Sequence, residues 1–226
     1  MQTDVLKIVS AAFYGSVAQE FDNLTFDEDI KEALRFLVTM SAKIHYVGAS
    51  SLTVEPVNAL PAPGSTVTLR GYSKATALLL LGTAANLGCT FRFIDMKDCI
   101  PTRDEANKMT DFVHGVMQIG IAPNGFVAAS ANYGETNGCI ACEPAEFAAG
   151  VLLALPLSGV NSCFAMREFE GNELLETAYE RLLRYGLVTK RVRDVVYTKS
   201  VRREKITPKK KKAGRPKKHP AETEKA

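Results

Sequence analysis

Two kinds of helical pattern alternate along this chain. In Ala75–Gly88 and Ala145–Leu157 nearly every position is apolar or small, the mark of a helix buried on all sides. In Asp27–Met40 the apolar residues Ile30, Ala33, Leu34 and Leu37 fall at the i, i+3, i+4, i+7 spacing, which predicts a helix with one buried face. Asn172–Gly186 repeats that spacing with Leu174, Leu175, Ala178, Leu182 and Leu183. Short apolar runs between them predict strands. The order of the elements then repeats: helix Ala75–Gly88, strand Cys89–Asp95, helix Asp104–Gly120, strand Gly125–Ser130. The second copy is helix Ala145–Leu157, strand Asn161–Met166, helix Asn172–Gly186, strand Arg191–Tyr197. A worn first copy precedes both, with Thr25–Met40 as its second helix and Lys43–Val47 as its strand. A repeat of about 70 residues fixes an architecture before any one residue is interpreted.

Helices alternating with strands must cover a sheet on at least one face, so the fold class is α/β. Asp27 and Asn172 are the expected N-caps of the two amphipathic helices, and Gly186 suits the left-handed turn that ends the second. Glu28 and Asp29 favour the positive end of their helix. Ala59–Gly64 reads as a loop, because strand-like sequence resumes at Ser65–Arg70. The longest apolar run, Ala77–Leu81, lies in a segment that also carries Thr83 and Asn86, well short of a membrane span. Met1–Ser10 contains Asp4 and a single lysine, so no secretory signal is expected and the cytoplasm is the default. Five cysteines, Cys89, Cys99, Cys139, Cys142 and Cys163, then read as free thiols, and the lone Cys139/Cys142 pair lacks the second pair or histidine a metal site needs. No metal and no cofactor are expected.

Charge divides the chain in two. Residues 201–226 hold 11 Lys+Arg against 3 Asp+Glu, whereas residues 1–200 hold 17 against 22. A mildly acidic body of residues 1–200 carries a basic tail of residues 201–226. In Lys205–Ala226 the one large aliphatic residue is Ile206. Such a segment buries too little apolar surface to offset its ordering and is expected to be disordered.

Four blocks, in order, resemble 3-phosphoshikimate 1-carboxyvinyltransferase (EPSP synthase) of the enolpyruvate transferase family. They are Thr25–Val54, Gly71–Phe93 (GYSKATALLLLGTAANLGCTFRF), Glu146–Leu157 (EFAAGVLLALPL) and Leu174–Leu187 (LLETAYERLLRYGL). Together they are spread along the body, from Thr25 to Leu187. The resemblance implies three βαβαββ units around a pseudo-threefold axis, with helices inside and sheets outside. It also implies one of the family's two domains, whose facing cleft holds the active site. The family moves the enolpyruvyl group of phosphoenolpyruvate to the 5-hydroxyl of shikimate 3-phosphate.

Both of those substrates are anions, and a competent site holds them with fixed cations. Carried across from the family, the substrate-binding candidates are Lys7, Ser73, Lys74, Thr76 and Arg103. Lys7 stands where the family has Arg, and Lys74 replaces a Gly. The departures are larger than the matches. Gln2 stands where the family has Lys, and Leu78 where it has a phosphoenolpyruvate-binding Arg. Pro144, Ala145 and Glu146 replace Ser-Ser-Gln, and Leu174 replaces a Tyr. No catalytic residue is assigned. His45 and His114 read as structural, and the Asp27–Asp29 cluster is explained by helix capping.

The tail adds Lys209, Lys210, Lys211, Lys212, Gly214, Arg215, Pro216, Lys217 and Lys218 as nucleic-acid-binding candidates. Gly214-Arg215-Pro216 between lysines resembles an AT-hook, whose extended core lies in the narrow minor groove of A·T-rich DNA. Ala213 stands where the hook has its first Arg. The flanking lysines would contact phosphates without reading sequence. In a eukaryote or its virus such a run is expected to act as a nuclear import signal, which makes a nuclear or nucleoid-associated location the alternative to the cytoplasm. Two readings follow. One is an enolpyruvyltransferase-like domain, not competent alone, whose partners are phosphoenolpyruvate, shikimate 3-phosphate and a complementary half-domain or a second copy. The other is a non-catalytic protein that binds DNA or another nucleic acid through its tail. Neither partner is a membrane.

Overall fold

The computed structural model describes residues 2–201, apart from 59, 63, 71–72, 86, 97–99, 113–116, 131–136, 142–143, 159–160 and 168. Among the described residues the chain forms six α-helices and eleven strands. The first unit runs α1 (Gln2–Tyr14), β1 (Gln19–Phe21), α2 (Glu28–Thr39), β2 (Ile44–Tyr46), β3 (Leu52–Val54). The second runs β4 (Thr66–Arg70), α3 (Lys74–Ala84), β5 (Thr90–Ile94), α4 (Arg103–Phe112), β6 (Met117–Ala122), β7 (Gly125–Ser130). The third runs β8 (Asn137–Ala141), α5 (Ala145–Ala154), β9 (Ser162–Arg167), α6 (Glu173–Arg184), β10 (Val188–Val192), β11 (Val195–Thr198).

Each unit builds its own sheet, in the orders β1-β3-β2, β4-β5-β7-β6 and β10-β11-β9-β8. In the second and third units the first two strands are parallel, β4 with β5 and β8 with β9, and the other pairings are antiparallel. A helix must bridge each parallel pair, and those bridges are α3 and α5. They are the two segments that read as apolar on all sides. Leu78 to Ala84 and Phe147 to Ala154 are buried without interruption. α1, α3 and α5 touch one another at the centre. The sheets keep one face outward, as in the exposed-buried alternation of Thr66–Arg70.

α3 and α5 meet through two glycines. A Cβ on Gly82 would lie 2.2 Å from the Phe147 carbonyl oxygen, and one on Gly150 would lie 2.1 Å from that of Leu79. The approach requires the absence of side chains at both positions. Aromatic residues fill the space between helices and sheets. Phe93 stacks on Phe126 at 4.5 Å, and Phe36 lies 6.3 Å from Phe91.

The amphipathic helices start as their caps dictate. The Asp27 side chain accepts from the Ile30 amide, and that of Asn172 accepts from the amides of Leu174 and Leu175. Gly186 is left-handed, at φ 67°. Two expectations change. The segment Asp104–Gly120, read as one helix, ends as a helix at Phe112, and strand β6 begins at Met117. The strand Arg191–Tyr197 is a hairpin, because Arg193 takes φ 52° and turns the chain between β10 and β11.

Candidate functional site

The C-terminal ends of the parallel strands β4 and β5 lead into α3 and α4, and the polar candidates gather there. The hydroxyl of Ser73 caps α3 by accepting from the Thr76 amide at 3.3 Å. Thr76 itself is fully buried, and its hydroxyl has no hydrogen-bond partner among the described residues. Lys74 is the first residue of α3. Its Nζ donates to both carboxylate oxygens of Glu105 at 2.6 Å each. Glu105 lies in the first turn of α4, three residues after Thr102. The Thr102 amide donates to Glu105 Oε2 at 2.7 Å, and the Glu105 amide donates to Thr102 Oγ1 at 3.2 Å. This reciprocal pair is a capping box, so Glu105 starts α4 and grips Lys74 at the same time.

The electrostatic consequence is direct. A free lysine at a helix N-terminus adds to the positive helix end and favours an anion. Here the side chains of Lys74 and Glu105 are 34% and 28% exposed, and the ammonium is paired with a carboxylate of the same chain. Burial pushes the Glu105 carboxyl up, but the Lys74 ammonium and the Thr102 amide and hydroxyl outweigh it. The carboxyl therefore sits below its ordinary range. Beside this pair, Arg70 Nε lies 3.4 Å from Asp95 Oδ2, bridging the ends of β4 and β5 on the surface.

The remaining sequence candidates lie apart or differ in character. Arg103 is exposed at the start of α4. Lys7 pairs at 2.8 Å with Asp4 one turn back on α1, on the exposed side of that helix. Glu146, in the first turn of α5, is half-buried. Cys89 is buried and Cys163 half-buried, both as free thiols. His45 Nε2 lies 3.0 Å from Glu55 Oε1, and Lys43 lies 3.3 Å from Oε2. The hydrogen bond from His45, then that from Lys43, lowers the Glu55 carboxyl. Among the described residues no group of three or more His, Cys, Asp or Glu is placed to hold a metal. None of their helices is long and apolar enough to cross a membrane. His114, Cys99, Cys142 and the nine tail candidates from Lys209 to Lys218 lie outside the described residues, as does the side chain of Cys139.

Sequence reasoning passed over three residues. Glu105 was signalled by the Thr102-x-x-Glu105 spacing before α4. Arg191 and Arg181 had no such signal, because their partners are distant in sequence. Arg191 pairs with both carboxylate oxygens of Glu176, at 2.9 and 3.2 Å, and stacks 4.0 Å from the centre of the Phe169 ring. Arg181 Nε donates to Ser10 Oγ at 3.0 Å and ties α6 to α1.

Among solved structures the chain is similar to EPSP synthase from Acinetobacter baumannii. The TM-score is 0.65 at 16% identity, over 88% of this chain and 45% of that one. A second structure of EPSP synthase from the same organism gives 0.62 at 15% identity, over 88% and 44%. The chain thus spans less than half the length of these structures, and at such identity the likeness is one of fold. No family model matches the sequence. No curated protein matches it.

Proposed function

We propose that this chain is an enolpyruvyltransferase-like domain that lacks autonomous catalysis. In this reading its three units surround a pseudo-threefold axis, residues 1–200 are the folded domain, and a complementary half or a second copy is needed to close a cleft. The observation that carries the reading is the Lys74–Glu105 pair. The cation at the start of α3, where an anionic substrate would be met, is already neutralised by a carboxylate of the same chain. Leu78 and Glu146 point the same way, since neither can hold a phosphate. Electrostatic stabilisation is usually the largest single term at such a site, and the Lys74 ammonium is already engaged by Glu105. Phosphoenolpyruvate and shikimate 3-phosphate are the ligands the fold suggests, and Ser73, Lys74, Thr76, Arg103 and Lys7 are the residues the resemblance offers them. Phosphate release from the two substrates, measured on the full chain alone, tests the reading. Background rates are expected, and saturable turnover overturns it.

The charge division supports a second activity on the same chain. A tail with 11 Lys+Arg and 3 Asp+Glu on an otherwise acidic body binds polyphosphate by releasing counterions. We assign that activity to Lys209–Lys218 and to A·T-rich DNA, read through Gly214-Arg215-Pro216. A gel shift over a salt series tests it: affinity falls steeply with salt, and A·T-rich duplex outcompetes G·C-rich duplex. Equal affinity at low and high salt contradicts it.

A further inference from the structure

Charge is unevenly spread over the folded body. Residues 181–199 hold six Lys+Arg and one Asp+Glu, whereas residues 1–180 hold 11 and 21. The basic stretch is the last turn of α6 and the β10–β11 hairpin. Two of its cations serve the fold, Arg181 on Ser10 and Arg191 on Glu176. The other four, Arg184, Lys190, Arg193 and Lys199, are exposed. None of the four has a carboxylate within ion-pair distance among the described residues. Elsewhere on the body the exposed lysines Lys7, Lys31, Lys43 and Lys108 each have one.

Strand alternation gathers two of these cations around an aromatic ring. Val196 and Thr198 are buried, so Val195, Tyr197 and Lys199 point outward from β11. Lys190 is the Cα partner of Tyr197 and shares its side of the sheet, as Val192 does with Val195. Tyr197 therefore has one lysine beside it on β10 and another two residues further along its own strand, and it is 37% exposed. Its Cα partner on the opposite flank is Cys163 of β9. A hydrogen bond with that thiol raises the Tyr197 phenol above its ordinary value. The same bond draws the ring sideways along the sheet instead of upright from it.

We infer that the outer face of the β10–β11 hairpin binds single-stranded nucleic acid, with a base stacked on Tyr197 and phosphates held by Lys190 and Lys199. Cations without counter-carboxylates, grouped on an otherwise acidic body, select a polyanion. The aromatic ring among them selects one with free bases, since every base has a π-face that stacks on such a ring while lysines track the backbone. A duplex, whose bases are already stacked on one another, has no free face for Tyr197 and is left to the tail. The site uses none of Lys209–Lys218 and so goes beyond the proposed function.

Fluorescence anisotropy of the full chain with labelled oligouridine of about 16 nucleotides, the upper site size of sheet-type binders, tests it. Tyr197→Leu is expected to weaken binding about fivefold or more, the effect of losing one stacked base, while Tyr197→Phe, which keeps the ring, stays within about twofold of wild type. The double variant Lys190→Ser, Lys199→Ser is expected to lower the slope of log affinity against log salt by about 1.4, as two phosphate contacts on a single strand require. All these chains keep the tail, so its failure to bind A·T-rich duplex leaves the comparison unaffected. No binding by the wild-type chain at low salt overturns the inference. So does a Tyr197→Leu chain with wild-type circular dichroism that binds as tightly as wild type. An unchanged salt slope in the double lysine variant also overturns it, and that measurement stands should Tyr197→Leu fail to fold. Wild-type binding to vesicles of anionic lipid but not to oligouridine gives the face to a membrane and overturns it too.

Discussion

A lysine in the first turn of a helix is repelled by the helix's own positive end, by up to about 1 kcal/mol on an exposed surface. Lys74 is held there because Glu105 reaches across from α4. Removing that carboxylate frees the ammonium. Glu105→Gln is therefore expected to bind inorganic phosphate about tenfold more tightly than wild type, the size of effect a charge-assisted hydrogen bond commands. Equilibrium dialysis with radiolabelled phosphate measures it. The same substitution should cost about 1 kcal/mol of stability at neutral pH, because the pair is about two-thirds buried and also part of the α4 cap. Its pH dependence has a definite sign. The folded carboxyl titrates below its unfolded value, so the stabilisation is fully present above the unfolded pKa. It is lost as pH falls through the lower folded value. Urea midpoints of wild type and Glu105→Gln should converge as the pH falls below the ordinary glutamate range; a gap that stays constant contradicts the assignment. The sequence carried half of this site. Thr102-x-x-Glu105 is a capping box on inspection. The grip on Lys74 spans 31 positions and depends on how α3 and α4 pack, which no local pattern encodes.

At the scale of elements, the contrast between helices apolar all round and helices apolar on one face was written in the sequence. It separates α3 and α5, which are buried, from α2 and α6, which cover them. What the pattern did not carry was the closeness of α3 to α5. Gly82 and Gly150 look like weak points in a helix, since glycine costs about 1 kcal/mol there relative to alanine. Across the interface they are required, because a Cβ at either would sit about 2 Å from a backbone oxygen. Gly82→Ala is expected to destabilise by about 3 kcal/mol or more despite its better helix propensity, with backbone forced to shift. Thermal unfolding followed at 222 nm should show a fall in Tm of about 6 °C or more for a domain of this size. An unchanged or raised Tm would mean that the helices lie farther apart. The β10–β11 hairpin was missed for a related reason. Its turn, Arg193-Asp194, has no glycine, yet Arg193 adopts φ 52°, so the usual turn signal was absent. Asp104–Gly120 was read too long although Val113, Gly115 and Val116, all poor helix formers, stand before Met117 in the sequence.

For the whole molecule, the repeat of about 70 residues led from sequence to three sheets around buried helices without any single motif. That the first sheet has three strands among the described residues, against four in each of the others, was invisible at that stage, because the worn first copy was recognised only from its second helix onward. The charge division sets a further expectation. With residues 209–218 deleted, the chain should lose its gel shift of A·T-rich duplex while its Tm stays within about 1 °C, as expected for surface charge removed away from the core. Retained DNA binding would move the activity onto the acidic body and contradict the account.

The measurement closest to the central claim is calorimetric titration of the full chain with shikimate 3-phosphate, alone and with phosphoenolpyruvate present. With Lys74 engaged by Glu105 and Leu78 in place of a guanidinium, no saturable heat is expected at ligand concentrations up to about 1 mM, equivalent to binding weaker than about −4 kcal/mol. A dissociation constant in the micromolar range for the isolated chain would show that the site is intact and that the cations are free to hold an anion.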